Sequence, residues 1–138
     1  MRVFLDTNIL LDTIVVRDDP QFADNAATIL TLGDAGILDL YMSVLSIPTI
    51  AYVLKNMNAR RKKHIIQDLV SIVSVLPTLP EHVDSMLQSP MSDIEDALQV
   101  LSAKEGRCDL IVTRDTTDYK EADLPVISPE GLLSKVLE

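Results

Sequence analysis

Short apolar runs alternate along this chain with longer segments in which apolar residues recur every three or four positions. Runs with the length and content of β-strands cover residues 3–5, 37–42, 109–113 and 125–127, with another ending at residue 76. The helical spacing predicts helices over residues 20–32, 46–56, 59–72, 81–88, 93–104 and 129–137, and a helix or turn starting at Thr7 or Asn8. Strands that alternate with helices need crossover connections. We therefore predict a three-layer α/β/α sandwich with a central, mostly parallel sheet of about five strands.

Residues that typically start or end helices support these boundaries. Asp19 followed by Pro20 is the pattern of an N-cap with proline at the first helical position. The other expected helix starts are Ser43 or Ser46, Asn58 or Ala59, and Ser92 or Asp93. Gly106 is expected to end a helix. At this length we expect residues 1–138 to form one domain.

The composition fits a folded protein and leaves the choice of partner open. Hydrophobic residues make up 47% of the chain, charged residues 24% and aromatic residues 4%, which predicts an aliphatic core. With a single cysteine, no secretory signal and no apolar run of membrane-spanning length, we expect a cytoplasmic protein without a membrane partner. The net charge of −9 argues against nucleic acid. A local cluster of carboxylates that binds cations would, however, give the same sign.

Asp6 directly follows the first predicted strand and is the first candidate for chemistry. In parallel sheets, ligands bind beyond the carboxyl ends of the strands, where this side chain would lie. The alternative is that Asp6 caps the helix that follows, as aspartate often does after a strand. Its role depends on whether other acids reach the same place.

Two further segments could bring acids there. In the helix that starts near residue 93, the helical phase places Asp93 and Asp96 at the edge of the apolar stripe, with Asp96 the better candidate. The same phase places Glu95, Gln99 and Ser102 on the polar face. Asp115 and Asp118 follow the strand at 109–113, which we expect to lie beside the first strand. The alternatives are a helix cap for the first pair and an ordinary turn for the second.

Such carboxylates suit Mg²⁺ or Mn²⁺ and a phosphate substrate. No histidine lies near them in sequence, and we expect His64 and His82 to be surface residues. The nucleophile would then be a metal-activated water rather than a side chain.

With these motifs, the chain resembles the PIN-domain family of metal-dependent ribonucleases, which includes VapC-type toxins. The motifs that carry the resemblance are residues 4–8 (FLDTN), 43–46 (SVLS), 93–99 (DIEDALQ), 111–115 (IVTRD) and 118–119 (DY). The resemblance implies a parallel α/β/α fold, Mg²⁺ or Mn²⁺, and endonucleolytic cleavage of RNA. It also implies a toxin that pairs with an antitoxin protein, and it leaves a homodimer open.

Residue by residue, Asp6, Asp96 and Asp115 match the acidic positions of the family and are the expected catalytic and metal-binding residues. Asp118 matches the acid of the aspartate–aromatic pair that follows, and Asp93 is a further candidate ligand. Side chains expected to support or cap these ligands are Thr7, Asn8, Thr49 and Thr113.

Thr49 stands where family members usually carry a glutamate. A neutral ligand would weaken a metal site, so the alternative function is a PIN scaffold without catalysis that binds RNA or a partner protein. Asp93 could compensate from the opposite wall.

Candidate RNA contacts are Arg60, Arg61, Lys62 and Lys63 at the start of a helix, together with Arg114 and Lys120 beside the acidic loop. The alternative for the basic run is a solvated helix face.

Two other families begin with a strand that ends in aspartate. A haloacid dehalogenase-type phosphatase needs a second aspartate two residues later, where this chain has Asn8. A response-regulator receiver needs an aspartate after its third strand, which here ends at Pro77. We rank both below the nuclease.

Overall fold

The computed structural model describes all 138 residues. The strands are β1 (Arg2–Leu5), β2 (Asp39–Ser43), β3 (Val73–Leu76), β4 (Leu110–Val112) and β5 (Val126–Ile127). The helices are α1 (Thr7–Asp12), α2 (Pro20–Asp34), α3 (Ser46–Val53), α4 (Ala59–Val70), α5 (Glu81–Leu87), α6 (Ile94–Glu105) and α7 (Pro129–Val136), with a 3-10 turn at Thr116–Tyr119. All five strands are parallel and form one sheet, which confirms the predicted fold class.

The two faces of the sheet are covered by separate groups of helices. Alternation along β1 sends Val3 and Leu5 to one face and Phe4 to the other, as the two-residue period of a strand requires. On the first face the core includes residues of α1, α2, α3, α4 and α7. On the second face Phe4 packs with α6 and with the 3-10 turn. The strand at the centre is therefore buried on both sides.

The strand order β3-β2-β1-β4-β5 places β1 beside β4. The chain moves outward from β1 in one direction through β2 and β3, and in the other direction through β4 and β5. Leu5 pairs with Val112, so Asp6 and Thr113 leave the sheet side by side. In open parallel sheets, ligands bind in the crevice at the point where the strand order reverses, which here is the gap between β1 and β4.

Most predicted helix starts are confirmed, and one is wrong. Asp19, Asn58 and Asp93 are N-caps whose side chains accept backbone hydrogen bonds from the first turns of α2, α4 and α6. Neither Ser43 nor Ser46 caps α3, because the N-cap position is Leu45 and the Ser43 hydroxyl accepts instead from the Leu45 amide. No helix has the length and apolar content needed to cross a membrane.

Candidate active site

Asp6 occupies the N-cap position of α1, but its carboxylate makes no capping hydrogen bond to that helix. Its Oδ1 accepts from the Gln99 amide Nε2 at 3.2 Å, and its Oδ2 accepts from the Thr113 hydroxyl at 2.7 Å. The residue is only 6% exposed, and this burial raises the pKa of the carboxyl above its ordinary value despite both hydrogen bonds. The capping alternative is therefore wrong for the Asp6 side chain, which lies between β4 and α6.

Asp96 lies in the first turn of α6, where the N-cap orients it. The Asp93 carboxylate accepts from the Asp96 backbone amide at 2.9 Å and so fixes this turn. The Asp96 Oδ1 then accepts from the Tyr119 hydroxyl at 3.1 Å. Burial raises the pKa of Asp96 to about 6, and the negative charges of Asp6, Asp93 and Asp118 add to the shift. Burial, followed by the charges of Asp6 and Asp96, also raises the pKa of Tyr119, so its hydroxyl stays protonated and can donate.

Asp115 reaches the same edge of the sheet from the loop after β4. Its Oδ2 accepts from the Asn8 amide Nδ2 at 3.1 Å, and its backbone amide donates to the Thr113 hydroxyl oxygen at 3.0 Å. Thr113 thus connects the backbone of Asp115 with the carboxylate of Asp6. The other amide atom of Asn8, Oδ1, is buried without a hydrogen-bond partner. An amide oxygen is a group of the kind that hard divalent cations bind in proteins.

None of these acids has a cationic partner. Five carboxylates at this edge of the sheet make no salt bridge: Asp6, Asp93, Asp96, Asp115 and Asp118. Their partners are neutral amides and hydroxyls. Asp6 is the buried member of this group, Asp96 is half-buried, and the other three are exposed. Burial of a carboxylate without a cation is costly, so a bound cation would stabilise the charge of Asp6 most.

Asp12 shows how the same chain neutralises a buried carboxylate elsewhere. This residue is 2% exposed and accepts from Arg17 Nε at 2.8 Å and from Arg114 Nε at 2.8 Å. The Arg114 guanidinium also lies 4.2 Å above the ring of Phe22. Arg114, a predicted RNA contact, is therefore bound to Asp12 rather than free beside the acidic loop.

The acids interact through charge without forming a ready-made metal cage. No group of three or more acidic, histidine or cysteine side chains stands close enough together to hold a metal ion. Nevertheless, the charges of Asp6, Asp93 and Asp118 all act on Asp96. The all-oxygen donor set, the absent counter-cations and the free oxygen of Asn8 fit a hard divalent cation such as Mg²⁺ or Mn²⁺.

Gln99 belongs to the candidate site, and the predicted position of its side chain is wrong. The helical phase predicts Gln99 and Ser102 on the polar face of α6, yet the two residues are 1% and 0% exposed. Gln99 binds Asp6, and the Ser102 hydroxyl donates to the Pro77 carbonyl at 3.0 Å. The spacing offered a signal, because Gln99 follows Asp96 by three positions and therefore shares its helix face.

The two histidines have different surroundings. His64 is exposed, as expected, with 72% of its side chain accessible. The expectation for His82 is wrong, because it is 7% exposed and its Nδ1 accepts from the Leu79 backbone amide at 3.0 Å. That hydrogen bond closes the turn before α5, so His82 has a structural role.

The predicted basic run lies on the surface of α4. Arg60, Arg61 and Lys63 are exposed and Lys62 is half-buried. None of the four forms a salt bridge. Because α4 leads back into the parallel strand β3, it runs opposite to the strands, and its first turn lies toward their carboxyl ends. Lys120 is exposed beside Asp118 and lines a polar hollow of about 230 Å³ with Ser92 and Thr117.

A family model for the PIN domain matches residues 2–117, which is most of the chain and includes Asp6, Asp93, Asp96 and Asp115; Asp118 lies one residue beyond the match. The chain belongs to the PIN-domain family. This membership confirms the family to which the motifs pointed.

Known proteins resemble this PIN domain along nearly its whole length. Ribonuclease VapC1 of Aquifex aeolicus (strain VF5) is 28% identical over 135 residues, which cover 94% of this chain and 91% of the relative. The VapBC2 structure from Rickettsia felis, bound to a DNA fragment from its promoter, has a TM-score of 0.69 at 13% identity and covers 93% of this chain and 98% of that one. A toxin–antitoxin complex from Klebsiella pneumoniae has a TM-score of 0.66 at 17% identity, with 92% and 97% covered. At these identities the two structures establish the fold alone.

Two predicted supporting residues of this PIN domain lie on or near α3. The Thr7 hydroxyl hydrogen-bonds the Ser46 hydroxyl at 2.8 Å, deep between α1 and α3. Thr49, at the position where the family resemblance expects a glutamate, is half-buried and makes no side-chain hydrogen bond. The α3 side of the site therefore presents hydroxyls rather than a carboxylate.

Proposed function

We propose that this PIN-domain protein is a metal-dependent endoribonuclease that hydrolyses RNA phosphodiester bonds in the crevice between β1, β4 and α6. The main support for this proposal is the contrast between two buried carboxylates. Asp12 is neutralised by two arginines, whereas Asp6 and the acids near it are held only by neutral donors. The similarity to Ribonuclease VapC1 over nearly the full length supports the same reaction.

Asp6, Asp96 and Asp115 would hold Mg²⁺ or Mn²⁺, with Asp118 and Asp93 adding negative charge near Asp96. Bound there, the ion would activate a water and stabilise charge on the phosphate. The chain's own residues orient the ligands. Gln99 and Thr113 hold both oxygens of Asp6, and Asn8 holds Asp115. These hydrogen bonds fix the orientation of the individual carboxylates, although the acids are not close enough together to form a closed metal site by themselves.

RNA would be guided to the acidic crevice by the basic run on α4. Four neighbouring cations without carboxylate partners, Arg60 to Lys63, provide attraction for phosphates in a chain whose net charge is −9. The direction of α4 turns this run toward the carboxyl ends of the strands, the edge at which Asp6 lies. Lys120 would contribute a further positive charge beside Asp118. Arg114 is not part of this surface because it is bound to Asp12.

An RNA cleavage assay tests the proposal. The purified protein is treated with a chelator and then supplied with Mn²⁺ or Mg²⁺, and RNA fragments are resolved over time. We expect cleavage only after the metal is returned and none with Asp6→Asn. Cleavage by the Asp6→Asn variant at the wild-type rate would instead show that the activity comes from a contaminant.

A second candidate function follows from Thr49. If the neutral α3 wall leaves too few ligands for chemistry, the domain would bind RNA or a partner protein without cutting. The same assay separates the two functions: metal binding without cleavage at any Mn²⁺ concentration would favour the scaffold. Thr49→Glu would then be expected to create cleavage.

We further propose that the protein is the toxin of a toxin–antitoxin pair. The Klebsiella pneumoniae relative is described as a toxin–antitoxin complex, and the Rickettsia felis relative as a VapBC2 assembly on promoter DNA. An antitoxin gene should then lie next to the gene for this chain. Expression of the wild type should arrest growth, and expression of Asp6→Asn should not. Arrest by both variants would contradict a toxin that acts through the crevice.

A further inference from the structure

Tyr119 places a hydroxyl inside the acidic crevice from the hydrophobic core. The residue is 1% exposed, and its ring belongs to the core formed with Phe4, Val100 and Ile111. Its hydroxyl donates to Asp96 Oδ1 at 3.1 Å. A tyrosine side chain has few rotatable bonds, so packing of the ring fixes the position of the hydroxyl. The Asp96 carboxylate is thereby held at a point set by the core rather than by solvent.

Gln99 holds Asp6 from the other side of the same crevice. Its Nε2 donates to Asp6 Oδ1 at 3.2 Å, and its Oε1 lies 3.5 Å from the Thr7 hydroxyl. Thr7 in turn pairs with Ser46 at 2.8 Å. An ionised Asp6 carboxylate can only accept, so the amide nitrogen of Gln99 faces Asp6 and the amide oxygen faces the Thr7 hydroxyl.

From these contacts we infer that Tyr119 and Gln99 are positioning residues, which fix the Asp96 and Asp6 carboxylates relative to each other. Their hydrogen bonds thereby set the affinity of the site for a divalent cation. The inference rests on the proposed metal-dependent function. Asp96 and Gln99 share helix α6, while Asp6 comes from the end of β1 and Tyr119 from the turn after β4. The two hydrogen bonds therefore connect three separate elements at the point where both carboxylates converge.

The neutrality of these donors matters to their role. A lysine or arginine could hold a carboxylate equally well, as Arg17 and Arg114 hold Asp12. A cation would also neutralise the carboxylate and compete with a metal ion. An amide and a phenol orient the ligand while they preserve its charge. Groups that orient metal ligands in this way typically change metal affinity or activity by about 10–100-fold when they are removed.

Mn²⁺ titration calorimetry on the full-length protein tests the inference. Tyr119→Phe removes only the hydroxyl, and Gln99→Met replaces the amide by an apolar side chain of similar length. We expect each to weaken Mn²⁺ binding by about 10–100-fold. Tyr52→Phe and Gln67→Met are the matched controls, because both residues are exposed and neither side chain hydrogen-bonds to the acids. Both controls should bind Mn²⁺ as the wild type does.

Melting curves and cleavage kinetics separate positioning from a merely structural role. At saturating Mn²⁺, cleavage by Tyr119→Phe and Gln99→Met should recover toward the wild-type kcat, with an unchanged KM for RNA. A loss that excess Mn²⁺ does not restore would overturn the inference, as would wild-type Mn²⁺ affinity in both variants. If the wild type itself binds no Mn²⁺, the proposed function fails instead. If one variant does not fold, the other alone decides.

Discussion

Asp6 and Asp12 are buried carboxylates in the same short stretch of chain, yet their surroundings are opposite. Asp12 sits between two guanidinium groups, and Asp6 accepts from an amide and a hydroxyl. Burial of a charge is stabilising only when a partner offsets its desolvation. A protein that leaves Asp6 without such a partner gives up stability at this position, as functional sites commonly do.

This contrast predicts opposite effects of the same substitution. Asp6→Asn removes an uncompensated charge, and an amide can still accept from Gln99 and donate to Thr113. In the absence of metal it should therefore raise Tm, by about 4 °C for each kcal/mol gained. Asp12→Asn leaves two arginines without their partner and should cost about 2 kcal/mol, between the values for exposed and buried ion pairs. Thermal melts in chelator at pH 7 measure both. Equal destabilisation by the two variants would contradict the conclusion that Asp6 is uncompensated and Asp12 is paired.

The raised pKa of Asp96 predicts that the stability of the protein depends on pH. Its pKa is raised from 3.8 to about 6 in the folded protein. Between these values the folded state keeps a proton that the unfolded state has lost, so this carboxyl contributes stability below about pH 4 that disappears as the pH rises through about 6. The Tm of Asp96→Asn minus that of the wild type, measured in chelator, should therefore increase from pH 4 to pH 7. A difference that stays constant or falls over this range would contradict the raised pKa.

The sequence singles out the acids as candidates but does not determine what surrounds them. Asp6, Asp96 and Asp115 are recognisable because each follows a strand or opens a helix. Gln99 was misassigned because helical phase separates polar from apolar faces, while here a polar side chain of α6 turns into a buried crevice. Arg114 was misassigned because its partner, Asp12, is distant in sequence and becomes a neighbour only in the fold. Contacts of this kind depend on tertiary packing, which one sequence does not specify.

At the scale of helices and strands, local rules were more successful. The N-caps Asp19, Asn58 and Asp93 were predictable because a capping side chain needs only the next three residues. Strand β2 starts at Asp39 rather than at residue 37 because Ile37 is 56% exposed and lies outside the sheet. The 3-10 turn that carries Tyr119 was not predicted, since a polar loop of this composition has no helical period.

The cap of α6 gives a test at this scale. Asp93 accepts from the Asp96 amide, and asparagine caps as well as aspartate does. Asp93→Ala should therefore lower the free energy of unfolding by about 1 kcal/mol, and Asp93→Asn should leave it nearly unchanged. Denaturant unfolding of both variants provides the measurement. A comparable loss in Asp93→Asn would show that the charge of Asp93 matters to the fold, contrary to a capping role.

At the scale of the whole molecule, the sheet topology and the charge distribution act together. The reversal of strand order between β1 and β4 gathers acids from distant segments at one edge. The net charge of −9 hides a local concentration of positive charge on α4. We propose that the acidic crevice binds a cation while the separate basic surface binds a polyanion.

Charge reversal on α4 tests the proposed RNA surface. Lys63→Glu should raise KM for RNA and weaken the salt dependence of binding, because one phosphate contact is lost. Mn²⁺ affinity should stay at the wild-type value, since the site acids are untouched. Lys135→Glu, an equal charge change at an exposed position on α7, is the control and should leave KM unaltered. Equal increases in KM for both variants would indicate a general effect of net charge instead of a defined surface.

In the proposed function, the acids around Asp6 form a divalent-cation site. Calorimetric titration of Mn²⁺ into the wild type and Asp6→Asn at pH 7 measures this directly, with Asp12→Asn as the control for a buried carboxylate outside the site. We expect Mn²⁺ to bind the wild type and Asp12→Asn, and to bind Asp6→Asn weakly or not at all. Equal Mn²⁺ binding by the wild type and Asp6→Asn would contradict the claim.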